Sequence, residues 1–125
     1  MVLVVRIVLS VLGLLYLYMG FGFLTDPVGA GGDFGVSAAG AQGLASIRGD
    51  FTAFFWVLSG SLVLGAWRPD VTLLYVAAAL AGIVMAGRAF GLALDGPYDQ
   101  WFVPMTVEGI TVIAALIGAR MVPRV

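Results

Sequence analysis

The chain contains no cysteine, no histidine and no lysine. The first absence removes disulfides, thiolate nucleophiles and thiolate-bound zinc or iron–sulfur centres. The second removes imidazole as a base and as a metal ligand, and the third removes the amine of Schiff-base chemistry. No metal site and no cofactor is expected. Charge is scarce as well: charged residues make up 10% of the 125, against about 25% in ordinary soluble domains. The net charge of −1 offers no basic surface for nucleic acid. Proton chemistry is confined to six Asp, Glu108 and four Tyr.

What the chain has in abundance is apolar length. Hydrophobic residues make up 62% of it, and the mean hydropathy is +1.09. Four apolar runs stand out: Val2 to Leu24, Phe51 to Trp67, Val71 to Leu94 and Trp101 to Ala119. At about 1.5 Å per helical residue they reach roughly 26 to 36 Å, against a bilayer core of about 30 Å. The expected fold is all-α: an integral membrane four-helix bundle in one domain over residues 1–125, with helices near 2–24, 49–67, 71–94 and 101–120. The first run is longer than the roughly 7 to 15 residues of a signal-peptide core and lacks a small-x-small cleavage pattern, so it reads as a membrane helix.

The connections carry the local signals. Asp26-Pro27 ends the first helix. Gly29 to Gly32 reads as flexible loop, and Ser37 to Arg48 as either a short interfacial helix or an early start to helix two, lying at the outer interface or covering the bundle as a lid. Pro69 stops helix two and Asp70 caps helix three, so these two form an antiparallel hairpin. Asp95-Gly96-Pro97 marks the next turn, and Asp99 suits the positive end of helix four. Small residues at four-residue spacing favour close helix approach: Ala78, Gly82 and Ala86; Gly87 and Gly91; Ser61 and Gly65; Ala114 and Gly118. A homodimer or a partner in a membrane complex is compatible with them.

The arginines orient the chain. Arg6, Arg68, Arg120 and Arg124 lie toward the end that holds both termini, whereas Asp26, Asp33, Asp95 and Asp99 occupy the opposite loops. Arg48 and Arg88 lie toward the far face, and the excess still places both termini in the cytoplasm. Arg6, one turn into the first run, reads as an anchor that snorkels to the interface.

Polar residues inside the runs are the candidate site. Arg88 lies six residues before Leu94 on an outward helix and Glu108 seven residues after Trp101 on an inward one, which puts both about 9 to 10 Å below the outer interface. An unpaired charge there costs at least about 2.5 to 3.5 kcal/mol, so the two are expected to pair, with the Arg fork taking the carboxylate bidentately. Such a pair either fixes helix register or serves a ligand or proton site. Arg48 and Asp50 stand at the mouth of helix two. Asp50 is expected to cap that helix and Arg48 to turn toward Glu108 or the outer acids. Tyr16 or Tyr18 of helix one can donate a hydroxyl to this layer, roofed by Tyr98, Trp101 and the long first loop.

The order of these features resembles a known family. Arg6 near the start of helix one, the Gly-rich end with Pro27, Phe34-Gly35, Ile47-Arg48-Gly49-Asp50-Phe51, Gly87-Arg88, Asp95-Gly96-Pro97 and Glu108 are similar to the small bacterial membrane family known as domain of unknown function 4345. A more distant similarity, mainly in helix one, is to DoxX-like four-span proteins. The resemblance implies a multi-pass protein of the bacterial inner membrane and brings no catalytic residues.

Two functional classes follow. One is a non-enzymatic membrane protein that holds a small amphipathic or lipid-like ligand in an outward polar cavity, or an accessory subunit of a membrane complex. The other is a small membrane enzyme using Glu108, held by Arg88, as general acid or base. An ion- or proton-coupled carrier fits less well, because no pair of broken helices is evident. For topology, a reporter that works only in the cytoplasm should be active when fused after Val125; activity there of a reporter that works only outside refutes this orientation.

Overall fold

The computed structural model describes residues 1–68 and 70–122. The described residues form five helices: α1 (Val2–Thr25), α2 (Pro27–Asp33), α3 (Gly40–Trp67), α4 (Thr72–Asp95) and α5 (Phe102–Met121). All but α2 are long and apolar enough to cross a membrane. The protein is a four-helix membrane bundle with a short extra helix between the first two spans. The spans run up and down, each against two neighbours, in the ring α1–α3–α4–α5.

One departure from the sequence reading concerns the first connection. Gly29 to Gly32 is helical, not a loop. Asp26 accepts a hydrogen bond from the Gly29 N–H (3.1 Å), and Pro27 occupies the first helical position. At the other end the Val36 N–H reaches the Gly31 carbonyl (2.8 Å) and the Gly35 N–H the Gly32 carbonyl (3.0 Å), with Gly35 at φ +72°. That double bond around a left-handed glycine closes a helix end, and the two caps together outweigh the poor helix propensity of the glycines between them.

Of the two readings of Ser37 to Arg48, the early start of helix two is the one observed. The chain is helical from Gly40, passes through a π-helical turn at Ile47–Phe51 and continues to Trp67. Its 28 residues make a rod of about 42 Å, longer than the hydrocarbon is thick. Much of the segment Ser37 to Arg48 is therefore a helical extension of a span.

The remaining turns follow the local signals. The Thr72 N–H bonds Asp70 Oδ1 (2.9 Å) at the start of α4; Pro69 lies outside the described residues. Gly96, at φ +86°, ends α4. Asp99 makes no side-chain cap, because Gln100 turns through φ 56° and Trp101 takes the cap position of α5.

Lipid tails are as apolar as leucine, so these helices associate through close packing and hydrogen bonds. The α1–α3 seam shows both. A Cβ on Gly13 would lie 2.5 Å from Val63 Cγ2 and 3.1 Å from the Ser59 carbonyl oxygen. Gly20, one heptad further, lies against the Trp56 indole. Along this seam Thr52 Oγ1 donates to the Gly20 carbonyl (3.3 Å), Trp56 Nε1 to the Leu17 carbonyl (3.3 Å) and Trp67 Nε1 to Ser10 Oγ (2.8 Å). Gly65 and Gly118 make the other close approaches, against Leu74 and Leu9.

The bundle is tight at one end and looser at the other. Leu9, Leu62, Leu74, Ala115 and Ala119 are fully buried near the termini. On α4 the buried residues stop at Ala81, and on α5 they begin only at Thr111. Gly82 makes only ordinary contact with Val112, while Gly87 and Gly91 face open space; the expected close approach at these glycines does not occur, because the outer halves of α4 and α5 stand off from α1 and α3.

Gly13→Ala should destabilise the bundle by about 1 to 3 kcal/mol through overpacking. Gly60→Ala, where nothing lies within 4 Å, should be neutral or stabilising by up to about 1 kcal/mol. Unfolding titrations in mixed detergent micelles check both.

Candidate functional site

Arg88 and Glu108 meet in the looser half, across the α4–α5 hairpin. The Arg88 Nε–H points between the two carboxylate oxygens, 3.1 Å from Oε1 and 2.9 Å from Oε2. The expected pairing is present with a different geometry: one nitrogen is shared by both oxygens, and the guanidinium fork is not used. The side chains are 23% and 12% exposed, respectively. The terminal amino groups of Arg88 have no hydrogen-bond partner among the described residues.

The cover over this pair is Phe34. Its ring centroid lies 5.7 Å from the Arg88 guanidinium carbon, a cation–π distance. Phe34 is the residue that ends α2, so the two caps of that short helix decide where the ring sits. It is anchored from below by Phe23 (centroids 5.4 Å apart) and Phe55 (6.0 Å), and those two rings stack on each other at 5.2 Å. Tyr98 and Trp101, expected as the roof, are exposed; Trp101 packs edge-on against Phe102.

One turn deeper is a hydroxyl relay. Thr111 Oγ1 donates to the Val107 carbonyl (2.8 Å), so its single hydrogen is used, and Tyr16 donates its hydroxyl to Thr111 Oγ1 (2.7 Å). Tyr16 is 3% exposed. Helix one thus supplies the expected hydroxyl, but to the residue three positions after Glu108 and not to the ion pair. Thr111 was not singled out from the sequence, although it is the one polar residue between Glu108 and Arg120. Tyr18, two positions from Tyr16, points away and is 75% exposed.

Arg48 and Asp50 do not join the cluster. Both are exposed, and neither makes a side-chain hydrogen bond or ion pair among the described residues. Asp50 cannot cap helix two, because α3 already runs through it and leaves no free N–H groups at that point. The π-helical turn brings Phe51 onto Phe23 (centroids 4.9 Å apart) and leaves Arg48 and Asp50 on the outside.

Two grooves open at this end. One, of about 490 Å³, lies between α2 and the start of α3 and is lined by Val28, Val36, Ser37 and Leu44. The other, of about 410 Å³, runs along the end of α1 and is lined by Tyr18, Phe23, Asp26, Asp33 and Phe34. Neither is lined by Arg88 or Glu108, whose side chains are part-exposed between the two grooves' end of the bundle and the buried core. Compared with known proteins, the chain matches no family model, no curated protein and no solved structure.

Breaking the pair from one side should be costly. Glu108→Gln is expected to lose about 3 kcal/mol, whereas Arg88→Met with Glu108→Leu should recover much of it, since apolar replacement of both partners is often neutral. A double-mutant cycle should show coupling of at least about 0.5 kcal/mol, and additivity would refute the contact.

Proposed function

We propose that this multi-pass protein lies in a bacterial inner membrane with both termini in the cytoplasm, and that it binds a small amphipathic ligand in the outward cleft beside Arg88. The observation that carries this reading is the half-used guanidinium: Glu108 engages only Nε, which leaves the amino groups of a part-exposed arginine next to an aromatic cover. In a low-dielectric cleft such donors favour a carboxylate, phosphate or carbonyl head. The residues one turn away on the same faces, Met85 and Leu92 on α4 and Met105 on α5, are part-buried and apolar, which suits a tail.

Several observations support the setting. Arg6 and Arg120 lie at the tight end, where Gly118 packs against Val5 and Leu9, and the tight turn after α3 puts Arg68 there as well. Arg124 lies outside the described residues. Kinship with the domain of unknown function 4345, and more distantly with DoxX-like proteins, belongs to this reading; the order of short motifs supports it. The same cleft would serve an accessory subunit that presents a ligand to a larger complex.

The enzymatic alternative, with Glu108 as general acid or base, needs a carboxylate oxygen free to face a substrate. Both oxygens instead face the Arg88 Nε. Binding is the reading the geometry favours.

A fluorescent fatty acid tests it in detergent micelles. Saturable binding to the native protein is expected, and the Arg88→Met, Glu108→Leu double variant should fold yet bind at least about tenfold more weakly. Equal binding by the folded double variant would reject the site.

A further inference from the structure

Arg6 enters the membrane on α1, one turn after the helix begins at Val2. Its Nε is buried and has no hydrogen-bond partner among the described residues. Leaving a charged donor without an acceptor is costly, so the neighbouring helices have declined to supply what this arginine requires. What they supply is a ring: the guanidinium carbon lies 5.4 Å from the centroid of Trp67, at the end of α3. Trp67 is itself held in place, because its indole N–H donates to Ser10 Oγ (2.8 Å), one turn further along α1. Arginine and indole therefore form a fixed platform across the α1–α3 seam.

The platform faces lipid. Leu3 and Ile7 beside Arg6 and Leu64 one turn before Trp67 are all exposed apolar side chains. Arg6 stands about 6 Å inside the first helical residue, a depth at which lipid phosphates and glycerol backbones replace water. Two further arginines stand at this end. Arg68 follows Trp67, and Arg120 stands in the last turn of α5, at the end where Gly118 packs against Val5. The one carboxylate described at this end, Asp70, is already capping Thr72.

We infer that Arg6 and Trp67, at the end of the bundle that also carries Arg68 and Arg120, form a binding site for the phosphate of an anionic phospholipid. The lipid phosphate accepts from the terminal amino groups of Arg6, which make no hydrogen bond among the described residues and, unlike Nε, are not buried; the indole supports the head at the interface, and the acyl chains lie along Leu3, Ile7 and Leu64. Basic pockets between spans on one side of a membrane bind anionic heads in this way. The site is separate from the outward cleft, at the opposite end of the bundle, and does not rest on that reading.

Native mass spectrometry of the full chain in a neutral detergent, titrated with equal amounts of phosphatidylglycerol and phosphatidylcholine, tests the inference. The native protein should prefer the anionic lipid by about tenfold, the scale of a charge-assisted hydrogen bond. Arg6→Gln should abolish the preference, and Arg48→Gln, at the other end of the bundle, should leave it unchanged. If Arg6→Gln does not fold, Arg6→Lys replaces it and should lower the preference severalfold, because an ammonium lacks the planar fork. The inference is overturned if the folded Arg6 variant keeps the full preference, if Arg48→Gln removes as much, or if millimolar inorganic phosphate displaces the bound lipid.

Discussion

Helices in a bilayer gain nothing by hiding leucine from lipid tails, so this protein depends on how closely α1 can approach α3. Gly13 and Gly20, one heptad apart, let the two backbones come near enough for Thr52 and Trp56 to bond carbonyls of the facing helix. Such bonds need a donor within about 3.5 Å, which a larger residue at Gly20 would prevent. The same seam positions Phe23 under Phe34 and Tyr16 against Phe55. The aromatic cluster, the cover over Arg88 and the hydroxyl relay to Thr111 all follow from that approach.

The uneven tightness of the bundle has a chemical counterpart. Where α4 and α5 are pressed against α1 and α3, the contacts are Leu74, Ala77, Ala115 and Ala119, without charge. Where they stand off, Arg88 and Glu108 occupy the space. A dry, closed seam would impose the full desolvation cost on both ions, whereas the part exposure of both side chains reduces it. Packing and polarity are thus arranged by the same splay.

Two intramembrane arginines in one small chain invite comparison. Arg88 has a carboxylate and a phenyl ring; Arg6 has an indole and no acid among the described residues. Depth is the difference. A guanidinium about two turns from the end of its helix needs its counter-charge from the protein, while one about a turn from the end is within reach of lipid headgroups. The hydrogen-bonding requirement is the same at both positions, and the nearest anion differs.

Apolar run lengths determined four spans, and the sequential depth of Arg88 and Glu108 determined that they meet, because along an antiparallel hairpin distance from the turn is distance into the membrane. Asp26-Pro27 and Gly35 also carried the caps of α2, but a run of glycines between them masked a helix that cap hydrogen bonds sustain. Other features were settled only in three dimensions. Whether Arg48 and Asp50 point inward depends on which face of the helix through Ile47–Phe51 meets the bundle; Ile47 is buried there, and Arg48 and Asp50 are exposed. Phe34 as the roof, Thr111 as the acceptor of Tyr16 and Trp67 as the support of Arg6 join residues up to 95 positions apart. Spacing along a chain gives depth and helical face; which faces turn toward one another is decided by how closely the helices pack.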